Sequence, residues 1–202
     1  MVSEIISAML QVGVVLVIAG AVYLAMGRRD GSFARFVGLY RAPLRAIAAG
    51  AAFGLVMVGA ILAIPGMAEM GSARGTVAGD AVQTGLTASV AIGLIVAAVF
   101  KTSLSEELLF RGLIGKRLIA WLGFQAGNFI QAMLFGLVHL LLLLVPAAST
   151  MLVLSLVLVT GISGWINGWL NERWGGGSIL PGWTAHAVAN ACAYLLLAAG
   201  TG

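Results

Sequence analysis

The sequence predicts an all-α fold, a polytopic bundle of about six transmembrane helices enclosing a polar cavity. Three observations predict it. The 202-residue chain is 61% hydrophobic and 9% charged, whereas a soluble domain carries about 25% charged residues. Its mean hydropathy is +1.07, and the apolar residues form runs long enough to cross a bilayer at about 1.5 Å per residue. The acidic residues fall at the ends of those runs or between them, with one exception. Ser105-Glu106-Glu107-Leu108-Leu109-Phe110-Arg111 sets two adjacent carboxylates and a guanidinium within a run. Charge inside a span is costly, so it is read first as a functional site.

Residues 4–27 form the first span, with Glu4 as its only charge. Its start is acidic and its arginines follow the run, which predicts a retained helix rather than a signal peptide. Residues 28–45 mix Arg28, Arg29, Arg35, Arg41 and Arg45 with Phe33, Phe36, Val37, Leu39 and Tyr40. That mixture suits a short helix on the membrane surface, with lipid recognition as the alternative. The second span, 46–64, ends at Pro65-Gly66, and 65–83 is a small, nearly neutral linker. The third run, 84–100, continues through Lys101 and the paired glutamates to Lys116-Arg117. Ser103 followed by Glu106 has capping-box spacing, so a helix restarting there and one helix from 84 to 117 both fit the sequence.

The fourth span, 120–145, stops at Pro146; the fifth, 149–171, leads to Glu172-Arg173 and Gly175-Gly176-Gly177; the sixth covers 181–199. The distribution of Arg and Lys puts 28–45, 116–120 and 172–180 in the cytoplasm and both termini outside. Trp165, Trp169, Trp174 and Trp183 near that boundary fit an interfacial belt. The chain reads as a single membrane-embedded domain, 1–202, with its working core at about 84–199.

The net charge of +4 does not indicate nucleic acid, because the basic residues are few and sit at the edges of apolar runs. Cys192 is the single cysteine, which excludes a disulfide within the chain. It lies six residues, or about 600°, from His186 and so on the opposite helix face, as a packing residue.

Both histidines, His139 and His186, fall inside apolar spans. A lone membrane histidine often serves as hydrogen-bonding glue, but the neighbours here argue for more. Residues four apart share a helix face, and Glu107/Arg111, Phe135/His139 and His186/Asn190 all have that spacing. Gln125 and Asn128 fall on the same face as His139, with Gln131 further round. A polar stripe on an apolar helix faces protein or water, so three spans converge on one polar cavity. Ser163, Asn167 and Asn171 recur every four residues on the fifth span and read as interhelical glue, with cavity lining as the alternative. Gly161, Gly164 and Gly168 let helices approach closely.

Adjacent carboxylates diverge by about 100° on a helix, so they divide labour. Glu107 with Arg111 reads as a structural ion pair, leaving Glu106 to face the histidines. Glu106, His139 and His186 can activate a water for attack on a peptide carbonyl, with His186 and Asn190 donating to the oxyanion. The same three residues could instead ligate a divalent metal such as zinc as a two-histidine, one-carboxylate set. No His-Glu-x-x-His helix, Gly-x-Ser-x-Gly elbow or phosphate loop is present.

The pattern Glu106-Glu107-x-x-x-Arg111, Phe135-x-x-x-His139, His186-x-x-x-Asn190 resembles the three motifs of the CPBP intramembrane proteases. This group is also called the Abi or CAAX-protease and bacteriocin-processing family, and it includes the Rce1-type prenyl-protein endopeptidases. The stretch from Gly161 to Pro181 also resembles the family's lead-in to its last histidine motif. Where members often carry proline before the paired glutamates, this chain has Lys101-Thr102-Ser103-Leu104-Ser105. The resemblance implies a helical enzyme of the membrane, acting on a membrane-bound protein or peptide, located as a multi-pass protein in a prokaryotic cell membrane. Carried over by motif position, Glu106 and His139 activate water, His186 and Asn190 support the oxyanion, and Glu107, Arg111 and Phe135 brace the site. No cofactor is favoured, because Asn190 and Arg111 give the set a hydrogen-bonding character.

Two other classes compete with a peptidase. One is a non-catalytic immunity or scaffold protein that keeps the motif as a polar core. The other is a proton-coupled transporter, disfavoured by the lack of a second motif copy. A geometric condition also applies. His139 lies about 21 Å along its span from Gln125, counted at about 1.5 Å per residue, whereas His186 lies only a few residues into its own. They meet only if residues 175–182 dip inward or the helices tilt.

Overall fold

The computed structural model describes residues 2–26, 31–144 and 148–200. Arg28, Arg29 and Pro146, used above to place a surface segment and a helix stop, lie outside the described residues. The described residues are helical throughout their regular structure, with no strand among them. The α-helices are α1 (Val2–Ala25), α2 (Phe33–Phe36), α3 (Leu44–Leu62), α4 (Met67–Gly71), α5 (Val77–Thr84), α6 (Ala88–Val96), α7 (Lys116–Val138), α8 (Thr150–Trp169) and α9 (Leu180–Ala199).

Four stretches are long and apolar enough to cross a membrane: Val2–Ala25, Leu44–Leu62, Ala88–Leu144 and Thr150–Trp174. The sequence count of about six is therefore not reproduced by length and apolarity alone. One reason is that Ala88–Leu144 is a hairpin, broken at Gly123, whose φ of 78° and ψ of 167° leave the helical region. After that break the chain returns along itself, so that the Phe110 and Phe135 rings meet edge-to-face at 5.1 Å. The other is that α9 carries His186 and Asn190 within its apolar run. Large apolar side chains stand exposed around the bundle, among them Met9, Val17, Val56, Leu144 and Met151; an exposed apolar belt of this kind marks a lipid-facing surface.

The first leg of the hairpin is one continuous helix, which answers the question left open for 84–117. It begins at the N-cap Thr87, whose side chain accepts from the Val90 amide. No helix restarts at Ser103. Instead Ala97–Leu104 and Glu107–Gly115 are π-helical, a widening of the turn that is rare and tends to occur at functional sites. The 65–83 linker is not structureless either, since α4 and α5 occupy much of it. The surface helix expected over 28–45 is reduced to the single turn of α2, capped by Ser32.

Small residues bring the helices together. A Cβ on Gly50 or Gly54 of α3 would strike the Pro181 or Ala185 carbonyl of α9. In the same way Gly136 of α7 lies against the Val157 carbonyl and Gly161 of α8, the close approach that small residues permit between membrane helices. The entry to α9 is tied down by polar contacts. The Ile179 amide donates to Gly38 O at 2.9 Å, and the Tyr40 hydroxyl donates to Gly176 O at 2.9 Å. Ser178 Oγ donates to Tyr40 O, and Lys116 Nζ donates to Gly177 O and to Glu172 Oε1, the latter at 3.2 Å. Gly177 makes this turn with φ of 86°, a conformation that favours glycine.

Candidate active site

The three polar pairs read from the sequence converge. Glu107 and Arg111 are 0% and 4% exposed, and Arg111 Nη1 lies 3.1 Å from Glu107 Oε1. The Arg111 guanidinium rests 3.9 Å from the centre of the Phe135 ring, an arrangement that favours a cation over a π face. The Phe135 ring in turn stands between the two histidines, with centroid distances of 5.2 Å to His139 and 5.8 Å to His186. The depth mismatch between the histidines is thus resolved within one side chain's width.

His186 is held between the two glutamates. Its Nδ1 is 3.2 Å from Glu107 Oε1 and its Nε2 is 3.7 Å from Glu106 Oε2. The expected division of labour therefore needs refining. Adjacent carboxylates do diverge on the helix, but an imidazole placed between them presents one nitrogen to each. Glu107 is accordingly part of the constellation around His186 as well as the partner of Arg111. On the far side, His139 Nδ1 is 2.8 Å from Phe135 O and 3.4 Å from Thr160 Oγ1. Donation from Nδ1 to that carbonyl leaves Nε2 as the free nitrogen of the ring. Asn190 Nδ2 donates to Ser103 Oγ at 3.3 Å.

Glu106, Phe135, His139, His186 and Asn190 line one cavity of about 350 Å³. Phe53 and Met57 of α3 and Met70 of α4 contribute apolar wall to the same cavity, so its lining reaches beyond residues 84–199. Ser163 and Asn167 line it too, whereas Asn171 is glue, accepting from the Gly182 amide at 2.7 Å. Asn128 and Gln131 do not face the cavity. They bond α7 to α8, through Trp165 O and Gly164 O, both at 3.0 Å, and Gln125 is exposed. Asn128 and Gln131 thus face protein, but the protein they face is a neighbouring helix. Trp183 donates from its indole to Val99 O at 2.8 Å. Thr160 and Ser103 were missed as site residues. Thr160 lies seven positions before Asn167 on the face already marked by Ser163, a signal that was available.

Among the described residues no three His, Cys, Asp or Glu side chains are grouped so as to hold a metal ion. Glu106, His139 and His186 line the same cavity without forming such a group.

Helices long and apolar enough to cross a membrane, with large apolar side chains exposed around the bundle, define an integral membrane protein. Residues 87–192, more than half of the chain, match the family described as Type II CAAX prenyl endopeptidase Rce1-like, and the chain belongs to that family of proteases. No curated protein and no solved structure matches the chain.

Proposed function

We propose that this chain is an intramembrane endopeptidase of a prokaryotic cell membrane, cutting a peptide bond in a membrane-associated protein or peptide. The protein is then one domain with six crossings, counting both legs of the hairpin and α9, and with its chemistry in residues 84–199. The observation that carries it is His186 between Glu106 and Glu107, with His139 and Asn190 lining the same cavity.

Glu106 is the general base. It takes a proton from a water that the free Nε2 of His139 orients, and the hydroxide equivalent attacks the scissile carbonyl. Charge then develops on the carbonyl oxygen. Asn190 Nδ2, and His186 when it is protonated on both nitrogens, donate to that oxyanion. Glu106 returns the proton to the departing amine. Glu107, Arg111 and Phe135 hold His186 in place and touch no reacting atom.

The reaction runs without a metal, in keeping with the amide and guanidinium groups around the cavity. Purified protein should cleave a reporter peptide at an unchanged rate after exhaustive chelation, with no stoichiometric zinc by elemental analysis. Loss of activity on chelation and its return with zinc would replace this mechanism by a metal-dependent one.

A further inference from the structure

A second, far smaller cavity lies at the Arg111 guanidinium. Arg111, Asn128, Gln131, Asn171 and the carboxylate-bearing Glu172 are among its walls, and its free volume is about 10 Å³. That is close to the space one water molecule needs. Three of its side chains carry polar atoms with no protein hydrogen-bond partner: Arg111 Nε, Nη1 and Nη2, Gln131 Oε1, and Asn171 Nδ2. These residues are 4%, 1% and 1% exposed. Their remaining groups are already committed. Gln131 Nε2 donates to Gly164 O and to Asn128 Oδ1, and Asn171 Oδ1 accepts from the Gly182 amide. Arg111 approaches Glu107 as an ion pair, without an N–H aimed at the carboxylate in hydrogen-bond geometry.

Glu172 is already paired with Lys116 at 3.2 Å, so the groups of the wall left without a protein partner are one acceptor, Gln131 Oε1, and donors on Arg111 and Asn171. A bound cation would meet the guanidinium, and a bound anion would meet the Gln131 carbonyl oxygen. A neutral molecule that both donates and accepts matches the set. We propose that this cavity is a built site for a single water, which accepts from Arg111 and Asn171 and donates to Gln131 Oε1. Water in such a site makes about three hydrogen bonds, the usual number for a buried one. Its consequence is positional: it holds Arg111 over Phe135 and beside Glu107, and Glu107 grips His186 Nδ1. Gln131 is thereby a positioning residue that acts on His186 through Arg111 and Glu107. This consequence rests on the peptidase reading, whereas the water site itself does not.

An experimental structure of the full chain in lipid nanodiscs, at a resolution that shows ordered waters, tests the site directly. One peak bonded to Arg111, Gln131 Oε1 and Asn171 Nδ2 is expected. A closed cavity with Arg111 donating straight to Gln131 Oε1, or no density there, overturns it. An inactive protein with the water in place would sink the peptidase reading and leave the water site standing. The positioning role is tested with Gln131→Met, which removes the acceptor at similar volume. The turnover number for a reporter peptide should fall about tenfold, the worth of roughly one hydrogen bond. KM should stay unchanged and the acid limb of the pH–rate profile should move. Folded Gln131→Met with wild-type turnover and pH profile overturns that role.

Discussion

Glu107 Oε1 lies 3.2 Å from His186 Nδ1, although Glu107 is the residue that also neutralises the fully enclosed Arg111. One buried carboxylate thus joins the structural pair to the proposed reacting group. Removing it leaves a guanidinium uncompensated in a low-dielectric interior, which costs about 3–5 kcal/mol for a buried pair. Glu107→Ala should therefore lower the melting temperature in detergent and abolish cleavage. Glu107→Ala combined with Arg111→Met should recover stability but not activity. Additive losses in the double variant would show that the two groups are not coupled.

Phe135 touches both histidines and the Arg111 guanidinium while being 2% exposed. Phe135→Leu keeps an apolar filler but removes the flat surface that separates the two imidazoles. Turnover of the reporter peptide should fall by about tenfold or more, while unfolding shifts by only about 1–1.5 kcal/mol, as a near volume-conserving core exchange does. Equal losses in both would make Phe135 a packing residue alone.

Gly54 lets α3 lie against the Ala185 carbonyl, one residue before His186. Gly54→Val cannot be accommodated without moving α9. Overpacking of this kind costs about 1–3 kcal/mol, and it should displace His186 from the glutamates. Gly59→Val, at a position with open space beside it, should leave both stability and cleavage unchanged and serves as the control.

The turn before α9 has its own pH signature. Burial, then the nearby Glu172 carboxylate, raises the Tyr40 phenol above its ordinary pKa of 10.0. A raised value means that the folded state favours the protonated phenol, which donates to Gly176 O. Its contribution is complete below the unfolded pKa of about 10 and fades as pH rises through the folded one. Tyr40→Phe should melt lower than wild type at neutral pH, with the difference narrowing above about pH 10. A constant difference across that range would remove Tyr40 from the alkaline transition.

Much of this was legible in the sequence because apolar runs and i, i+4 spacing are local. The segments read at 46–64, 149–171 and 181–199 match Leu44–Leu62, Thr150–Trp169 and Leu180–Ala199 closely. The pairs Glu107/Arg111, Phe135/His139 and His186/Asn190 likewise named residues that the fold brings together. Other features depend on contacts between distant segments. The π-helical turns around Glu106 and the folding of 65–83 into α4 and α5 leave no periodic mark. The duties of Asn128 and Gln131 were misplaced for the same reason. A helical wheel gives a direction, but only the packed neighbour says whether that direction holds a cavity or α8.

The central claim is that Glu106 and His139 activate the hydrolytic water. Its most direct test is cleavage of a reporter peptide by purified, reconstituted protein beside Glu106→Ala and His139→Ala, each checked for native melting. The account predicts cleavage by the wild type and loss of cleavage in both variants. Cleavage that survives either substitution, in a folded variant, would contradict it.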